Sequence, residues 1–341
     1  MRALTKELVQ RAIYLEPKLK TLYIGGGTPT VLPEELLIGL LDQIHAHVDF
    51  DEHIEITLEA NPGTIHRHTI EKFVRSGIHR VSLGIQSLRD EELRLLGRTH
   101  TAKQALQALE DLFSAGVDQV SVDLMANIPG QTTESFADTL RSVLAYPISH
   151  LSIYDLKVEE GTPFGRWQKR GELHLPEEDM ASRIDRKKDE LLDTSTMGRY
   201  EISNYARNQA VSKHNLVYWH NEPYLGIGLG STSRLDQRRL VNHRTIGDYI
   251  NGVHQTENAV AIVEMVDAKM EREETIFLGL RLTKGVELGA FKQRHGLDLM
   301  MLYGQEIQKF LDWDMLLIAD GHLRLTELGR RYSNQVLSLF V

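Results

Sequence analysis

Glycines and polar side chains gather where successive candidate strands end in the first half of this 341-residue chain. The first of these strands, 21–26, runs into the sequence IGGGTPT at 24–30. The polar residues at or near the ends of the next four strands are Glu59, Gln86 with Ser87, Asp123, and Tyr154 with Asp155. Ligand sites in parallel α/β sheets lie at the carboxyl ends of the strands. The repetition at one rim therefore predicts a binding face.

The glycine loop and its neighbours suit one kind of ligand. The loop is followed by neither the Gly-Lys-Ser/Thr of a P-loop nor the dinucleotide fingerprint. Exposed backbone groups of consecutive glycines can instead cradle the ammonium and carboxylate groups of an amino acid. Asp123 can chelate two ribose hydroxyls, Gln86 can donate hydrogen bonds, and Arg98 can pair with a carboxylate through two bonds. An amino acid joined to a nucleoside describes S-adenosylmethionine.

Each of these residues, taken singly, also has a structural interpretation. A glycine-rich stretch is a common turn, Glu59 is a plausible helix cap, and Asp123 is a plausible rim carboxylate satisfied by its neighbours. Their repetition at the same end of several strands favours a site.

The elements that must position this rim alternate between strands and helices. The candidate strands are 21–26, 54–60, 80–87, 119–125 and 150–156. Between them, apolar residues recur at the three- and four-residue spacing of amphipathic helices. This alternation predicts βαβ units, a parallel sheet and right-handed crossovers.

The second half of the chain has a different pattern. A charged helical stretch at 175–193 leads into a mixed segment, and from about 262 the pattern is helical again. The final sequence HLRLTELGRRYSNQVLSLF predicts a short strand, a turn and a helix, as in a small winged-helix unit. Because the chain is acidic, we interpret this tail as a packing module rather than a DNA reader.

Composition excludes several classes of function. The formal net charge of −9 argues against a nucleic-acid binder that neutralises phosphates. No run of eighteen apolar residues could span a membrane, and the N-terminus lacks the apolar stretch of a secretion signal, so we expect a cytoplasmic protein. The chain has no cysteine, which excludes disulfides, cysteine nucleophiles and thiolate ligands for zinc or an iron–sulfur cluster.

A set of motifs carries a closer resemblance. In chain order they are YIGGGTPT, LEANPGT, RVSLGIQS, LLGRTH, SVDLMANIPGQT, VEEGTPF, YEISNYA, HNLVYW and YLGIGLGS. Together they closely resemble the radical S-adenosylmethionine family of oxygen-independent coproporphyrinogen III oxidase-like proteins, especially its heme chaperone branch. The resemblance implies an α/β fold, an incomplete parallel (β/α) barrel followed by a small C-terminal helical, winged-helix-like domain. The expected divisions are 1–165 for the partial barrel, 166–260 for an extension and 261–341 for the C-terminal domain.

The resemblance also implies roles for individual residues. Those that match the S-adenosylmethionine contacts of the family are Gly26, Gly27 and Thr28 around the methionine moiety, and Glu59, Gln86, Arg98 and Asp123. The pattern HNxxYW is associated with heme binding in the heme chaperone branch. Its residues here are His214, Asn215, Tyr218 and Trp219.

Elementary chemistry agrees with heme binding by this pattern. An imidazole is a good axial ligand for heme iron, so His214 is the expected ligand. Tyr218 and Trp219 have aromatic faces that can lie against a porphyrin plane. A plain turn at His214 and a core role for the aromatic pair stay open, as do His220 and His243 as substitute ligands.

Two departures from the family stand out. Asn127 occupies a position where the family usually has glycine, and asparagine also tolerates left-handed backbone angles. The family holds a [4Fe–4S] cluster through three cysteines in the loop after its first strand, and this chain has none. RALTKELVQRA resembles the helix after that loop, so we expect the first strand and the cluster loop to be absent, leaving the edge of strand 21–26 uncovered. The chain as written is predicted not to cleave S-adenosylmethionine reductively.

Two explanations and three functions stay open. The chain has lost an N-terminal segment, or it is naturally short and only binds ligands. The leading hypothesis is a heme-binding, radical S-adenosylmethionine-like heme chaperone that delivers heme to acceptor proteins, any membrane contact being peripheral and made through those acceptors. The alternative is a fragment of the oxidase, which decarboxylates coproporphyrinogen III to protoporphyrinogen IX. The third is a remnant that binds neither ligand.

Overall fold

A computed structural model describes residues 1–15 and 18–340 of the chain. Its largest element is a seven-stranded sheet in the order β1-β2-β3-β4-β5-β7-β6. The strands are β1 (Leu19–Ile24), β2 (Phe50–Ala60), β3 (Arg80–Gln86), β4 (Gln119–Ala126), β5 (His150–Asp155), β6 (Met197–Arg199) and β7 (Asn204–Arg207). Neighbours from β1 to β5 are parallel, whereas β7 runs antiparallel to both β5 and β6. The predicted α/β architecture with a parallel sheet is confirmed.

Helices alternate with these strands along the chain, namely α1 (Arg2–Arg11), α2 (Glu34–His47), α3 (Arg67–Arg75), α4 (Asp90–Leu95), α5 (Ala102–Ser114), α6 (Thr133–Leu144), α7 (Pro163–Lys169) and α8 (Glu178–Asp193). Apolar side chains of α2, α3, α5, α6 and α8 form one core with the strands, so these helices cover one face of the sheet. Helices α5 and α6 each begin at a capping box, formed by Thr101 with Gln104 and by Thr132 with Ser135. Such reciprocal bonds satisfy N-terminal N–H groups that the helix itself leaves free.

The two faces of the sheet differ in chemistry, because successive strand residues point to opposite sides. Toward the helices, the strands project apolar side chains such as Leu58, Leu83 and Leu151, each at most 1% exposed. The other face, here called the site face, carries polar side chains, namely Glu55, Thr57 and Glu59; Arg80 and Ser82; Gln119, Ser121 and Asp123; and His150 and Ser152. Covered parallel strands are normally apolar on both faces. A polar face therefore indicates a ligand site.

A smaller antiparallel sheet in the order β10-β9-β8 follows in the chain. The elements of this region are α9 (Lys213–Trp219), β8 (Thr232–Leu235), β9 (Arg238–Asn242), α10 (Ile246–Asn251), a π-helical turn (Gly252–Thr256) and β10 (Val260–Met265). Glu7 of α1 is 1% exposed and accepts hydrogen bonds from Arg11, from Asn242 of β9 and from the hydroxyl of Tyr249. This buried network attaches α1 to the smaller sheet.

The C-terminal region has its own core and its own sheet, in the order β11-β13-β12. Its elements are α11 (Ala268–Gly279), β11 (Val286–Glu287), α12 (Leu288–His295), α13 (Leu299–Asp312), β12 (Leu316–Ala319), β13 (His322–Leu325), α14 (Glu327–Arg331) and α15 (Ser333–Leu337). The expected strand at the end of the chain corresponds to β13, whereas two short helices, α14 and α15, follow it in place of the expected turn and single helix. The expected divisions near residues 165 and 260 stay a prediction.

Gly285 shows how closely this region packs. Its φ is +75°, and a Cβ there would lie 2.1 Å from the carbonyl oxygen of Leu323. Only glycine combines that backbone angle with such a close approach. Across the described residues, no helix is both long enough and apolar enough to cross a membrane.

Candidate functional site

The glycine loop leaves β1 at the carboxyl end of the sheet, as the sequence predicted. Gly26 has a φ of +101°, and its N–H donates a hydrogen bond to Glu59 Oε2 at 3.1 Å. A Cβ on Gly25 would lie 2.6 Å from the Glu59 carboxyl carbon, so this glycine is required by contact with Glu59. At Gly26 and Gly27, no atom of the described residues lies within 4 Å of an added Cβ. The loop therefore presents open backbone next to an anchored carboxylate.

A second chain of hydrogen bonds fixes the other side of the loop. Arg98 Nη1 donates to Asn61 Oδ1 at 3.3 Å, and Asn61 Nδ2 donates to Thr28 Oγ1 at 2.7 Å. Burial lowers the pKa of Arg98, while the nearby charge of Asp123 opposes that shift. Arg98, Thr28 and Asp123 thus belong to one rim.

Asp123 projects from β4 beneath this rim. Ser82 Oγ donates to Asp123 Oδ2 at 3.0 Å. Burial raises the pKa of Asp123 to about 6, while hydrogen bonds from Ser152 and Ser82 act in the opposite direction. The charged form of this carboxylate is stabilised further when a ligand supplies additional hydrogen-bond donors, as two ribose hydroxyls do.

Gln86 ends β3 at an irregularity in its pairing with β4, between Leu83 and Gln86. Its φ is +68°, which is unusual for a residue other than glycine, and its side chain is 8% exposed. Such strain is typical of functional positions. Asn127 also has a positive φ, +60°, a backbone angle that asparagine tolerates and that glycine adopts freely.

Sequence reasoning missed two members of this rim. Asn61 bridges Arg98 and Thr28, and the Tyr23 hydroxyl donates to Glu59 Oε1 at 2.7 Å. A signal existed for both. Asn61 directly follows β2 in the motif LEANPGT, and Tyr23 is the last residue but one of β1, beside the glycine loop.

The HNxxYW segment forms α9, and a buried carboxylate of the sheet positions it. Glu55 of β2, 3% exposed, accepts hydrogen bonds from the backbone N–H groups of Lys213 and His214 at 3.0 and 2.9 Å. The same carboxylate lies 3.8 Å from Nη1 of the buried Arg80. The start of α9 is therefore fixed to the amino end of the site face.

The His214 ring is fully engaged inside the protein. Nδ1 lies 2.9 Å from Thr21 Oγ1, Nε2 lies 2.8 Å from the Tyr218 hydroxyl, and the ring stacks on Tyr23 with centroids 5.0 Å apart. Burial lowers the pKa of His214 to about 4, so the ring is neutral at neutral pH. Ligation of iron by His214 would require one of these two hydrogen bonds to break.

The residues of HNxxYW face different cavities. His214 and Tyr218 line a cavity of about 410 Å³ with Tyr23 and Leu8, here called the α1-side cavity. Trp219 instead lines a cavity of about 780 Å³, here called the C-terminal cavity, which is also bounded by residues 282–287 and by part of α12. Asn215 helps to begin α9 through a backbone hydrogen bond to Ser212 Oγ at 3.3 Å. The described structure thus separates Tyr218 from Trp219, and a shared porphyrin plane for the pair stays a prediction.

An iron–sulfur cluster does not fit the groups present. The sequence has no cysteine. In the described part of the chain, no group of three or more His, Asp or Glu side chains is arranged to hold a metal ion. The expectation that the chain carries no ligand set for the cluster rests on both observations.

Two families of known proteins match separate segments of the chain. The family model described as the Radical SAM superfamily matches residues 3–143, and the HemN C-terminal domain model matches residues 266–332. The heme chaperone HemW of Lactococcus lactis is 34% identical over 324 residues, which cover 95% of this chain and 85% of that protein. HemW of Bacillus subtilis is 31% identical, covering 100% of this chain and 90% of that protein.

A mitochondrial relative and a solved structure extend the comparison. Radical S-adenosyl methionine domain-containing protein 1 of Mus musculus is 32% identical, covering 92% of this chain and 73% of that protein. The solved structure of coproporphyrinogen III oxidase (HemN) from Escherichia coli superposes with a TM-score of 0.85 at 20% identity, covering 99% of this chain and 82% of that one. At this identity the superposition establishes the fold alone.

Proposed function

The chain belongs to the radical S-adenosylmethionine superfamily, in the branch of the curated heme chaperones, and on that premise we propose that it binds heme and delivers it to acceptor proteins. The observation that carries the proposal is the similarity to bacterial heme chaperones along nearly the whole chain. The surroundings of α9 support it, because each cavity beside this helix combines apolar walls with at least one histidine. An apolar wall shields a macrocycle from water, and an imidazole coordinates its iron.

We also propose that the rim takes S-adenosylmethionine. Open backbone at Gly26 and Gly27 suits the methionine moiety, Glu59 suits its ammonium group, and Arg98 suits its carboxylate. Asp123 suits the ribose hydroxyls. In the family, this cofactor supplies a radical once a reduced cluster cleaves it. The chain has no thiolate for that cluster, so the role proposed for the rim here is binding without cleavage.

Oxidative decarboxylation of coproporphyrinogen III is not proposed for this chain. The oxidase reaction of the family depends on the cluster, whose ligands the sequence lacks. Delivery to acceptor proteins, the peripheral character of any membrane contact and the cytoplasmic location stay predictions.

A heme titration tests the proposal. The 341-residue chain is titrated with ferric heme, the Soret band is followed, and apomyoglobin is then added as an acceptor. We expect a protein-specific Soret band that saturates and then converts to the spectrum of myoglobin. A spectrum identical to that of free heme at every ratio would remove the proposed function.

A further inference from the structure

The C-terminal cavity has the size and apolar lining of a macrocycle site. Its volume is about 780 Å³, and α9 contributes Leu216 and Trp219 to its wall. Val286, Ala290 and Phe291 form the opposite wall. Trp219 is fixed by the guanidinium of Arg281, which lies 4.4 Å from its ring centroid. Ligand cavities of several hundred cubic ångströms with apolar walls typically bury most of an organic ligand.

Several basic residues line this cavity, and carboxylates inside the protein already pair with two of them. Its lining residues with basic side chains are Arg199, Lys284, Arg294, His220 and His322, and Glu287 is its acidic lining residue. Arg199 pairs with Asp189 at 2.6 Å and Arg294 with Glu271 at 3.1 Å. Lys284 has no carboxylate within 4.0 Å among residues 1–15 and 18–340. Lys284 can therefore pair with a carboxylate of an apolar ligand without breaking an ion pair among the described residues.

His322 has a ring nitrogen available to a metal ion, whereas both ring nitrogens of His214 are hydrogen-bonded. Its Nδ1 lies 2.8 Å from the backbone carbonyl oxygen of Asp320. A carbonyl only accepts, so Nδ1 carries the proton and Nε2 keeps its lone pair. Metal-binding histidines are commonly fixed by this kind of bond to a backbone carbonyl. By contrast, both ring nitrogens of His214 are already hydrogen-bonded to Thr21 and Tyr218.

The backbone around His322 is well fixed. In β13, His322 pairs with Glu287 of β11 and with Ala319 of β12. The close contact of Gly285 with Leu323 holds the neighbouring wall at a set distance. The ring is therefore carried by a paired strand at the edge of the cavity.

We propose that heme binds in the C-terminal cavity, with His322 Nε2 as the iron ligand and Lys284 as the partner of a propionate. This inference rests on the proposed heme function and names its site. Trp219 contributes to the wall, and His214 is a positioning residue that locks α9 against β1 through Thr21 and Tyr23. The HNxxYW pattern thus builds one side of the heme site without supplying its iron ligand.

Replacement of His322 is the first test. The His322→Gly variant, titrated with ferric heme, is expected to lose the spectrum of histidine-ligated heme and to bind at least about tenfold more weakly. Added imidazole is expected to restore the ligated spectrum, a rescue that a merely structural role would not produce. The matched control is His174→Gly, an exposed histidine outside the cavity. Wild-type binding and spectrum in His322→Gly would overturn the inference.

Two further variants test the cavity without changing the proposed iron ligand. Lys284→Glu reverses the unpaired charge and is expected to weaken binding severalfold, against Lys103→Glu as a control on the exposed surface of α5. Ala290→Trp fills the cavity from α12 and is expected to abolish binding, against Ala261→Trp on exposed β10. Circular dichroism verifies the fold of each variant.

The outcomes distinguish a failure of the proposed heme site from a failure of the proposed heme function. Absence of heme binding by the wild type overturns both. Wild-type binding in His322→Gly, Lys284→Glu and Ala290→Trp, together with loss in His214→Ala, overturns the inference and leaves the proposed function standing. Loss in the C-terminal cavity variants, with wild-type binding in their matched controls, supports both.

Discussion

The two ends of the site face contain similar side chains in opposite states. At the amino ends of the strands, Glu55 and Arg80 are 3% and 2% exposed, and each has partners inside the protein. At the carboxyl ends, Glu59 accepts a hydrogen bond from Gly26 and lies beside open backbone. Asp123 is buried there, and burial raises its pKa to about 6. A buried charge that is fully matched serves the fold, whereas one that is held but incompletely matched is available to a ligand.

The largest effect is expected at the amino end of the site face, in the free energy of unfolding. Glu55→Ala leaves Arg80 buried without its carboxylate and removes the acceptor for the first N–H groups of α9. Removing one partner of a buried pair typically lowers the free energy of unfolding by about 3–5 kcal/mol. Urea denaturation measures this loss.

The control for Glu55→Ala is an exposed ion pair. Glu71→Ala removes only the contact with Arg67 at 2.9 Å on the surface of α3. Such pairs contribute about 0–1 kcal/mol. Equal effects of Glu55→Ala and Glu71→Ala would contradict the distinction between the two ends.

The next effect is expected in ligand affinity at the open end. Asp123→Ala removes the acceptor proposed for the ribose, and hydrogen bonds to charged groups contribute about 1.5–3 kcal/mol, or roughly a tenfold to hundredfold change in affinity. Calorimetry with S-adenosylmethionine measures it, with the exposed Asp118→Ala as control. Unchanged affinity in Asp123→Ala would remove this carboxylate from the site.

The pH dependence of stability distinguishes the same carboxylate. Its pKa is raised from 3.8 to about 6 in the folded protein, so the folded state retains this proton at pH values where the unfolded chain has released it. Ionisation therefore disfavours folding, and wild type should lose about 1–3 kcal/mol relative to Asp123→Asn as pH rises from about 4 to 7. Thermal unfolding of both proteins across that range measures the difference. Parallel curves would show that Asp123 is not perturbed.

The smallest effect is expected at the loop itself. Thr28→Ala removes the acceptor for Asn61 and frees one side of the glycine loop, at about 0.5–1.5 kcal/mol for one hydrogen bond. S-adenosylmethionine affinity should fall by up to about tenfold, and Thr28→Ser should restore it. Failure of serine to restore affinity would assign the loss to the methyl group.

The sequence predicted the carboxyl end of the site face better than its amino end. Polar residues at strand ends are visible in the sequence because the ends of parallel strands meet at one rim, which brought Glu59 and Asp123 together correctly. The contact between Glu55 and Arg80 depends on the register between β2 and β3, which periodicity does not specify. The arrangement of α9 was equally hidden, because the faces taken by Tyr218 and Trp219 depend on where Glu55 fixes the start of the helix.

The availability of His322 Nε2 could not be predicted either. It follows from a hydrogen bond to a carbonyl two residues earlier, and that bond exists only in the folded turn between β12 and β13. Spacing in a sequence identifies histidines, but the state of each nitrogen depends on the conformation of the neighbouring backbone.

Tyr23 contacts elements of both proposed ligand sites. Its hydroxyl bonds the carboxylate that holds Gly26, and its ring stacks on His214 at the start of α9. Tyr23 therefore contacts both the loop proposed for S-adenosylmethionine and the helix that carries Trp219. Where occupancy of one site changes the affinity of the other, thermodynamic reciprocity makes that change the same factor in both directions.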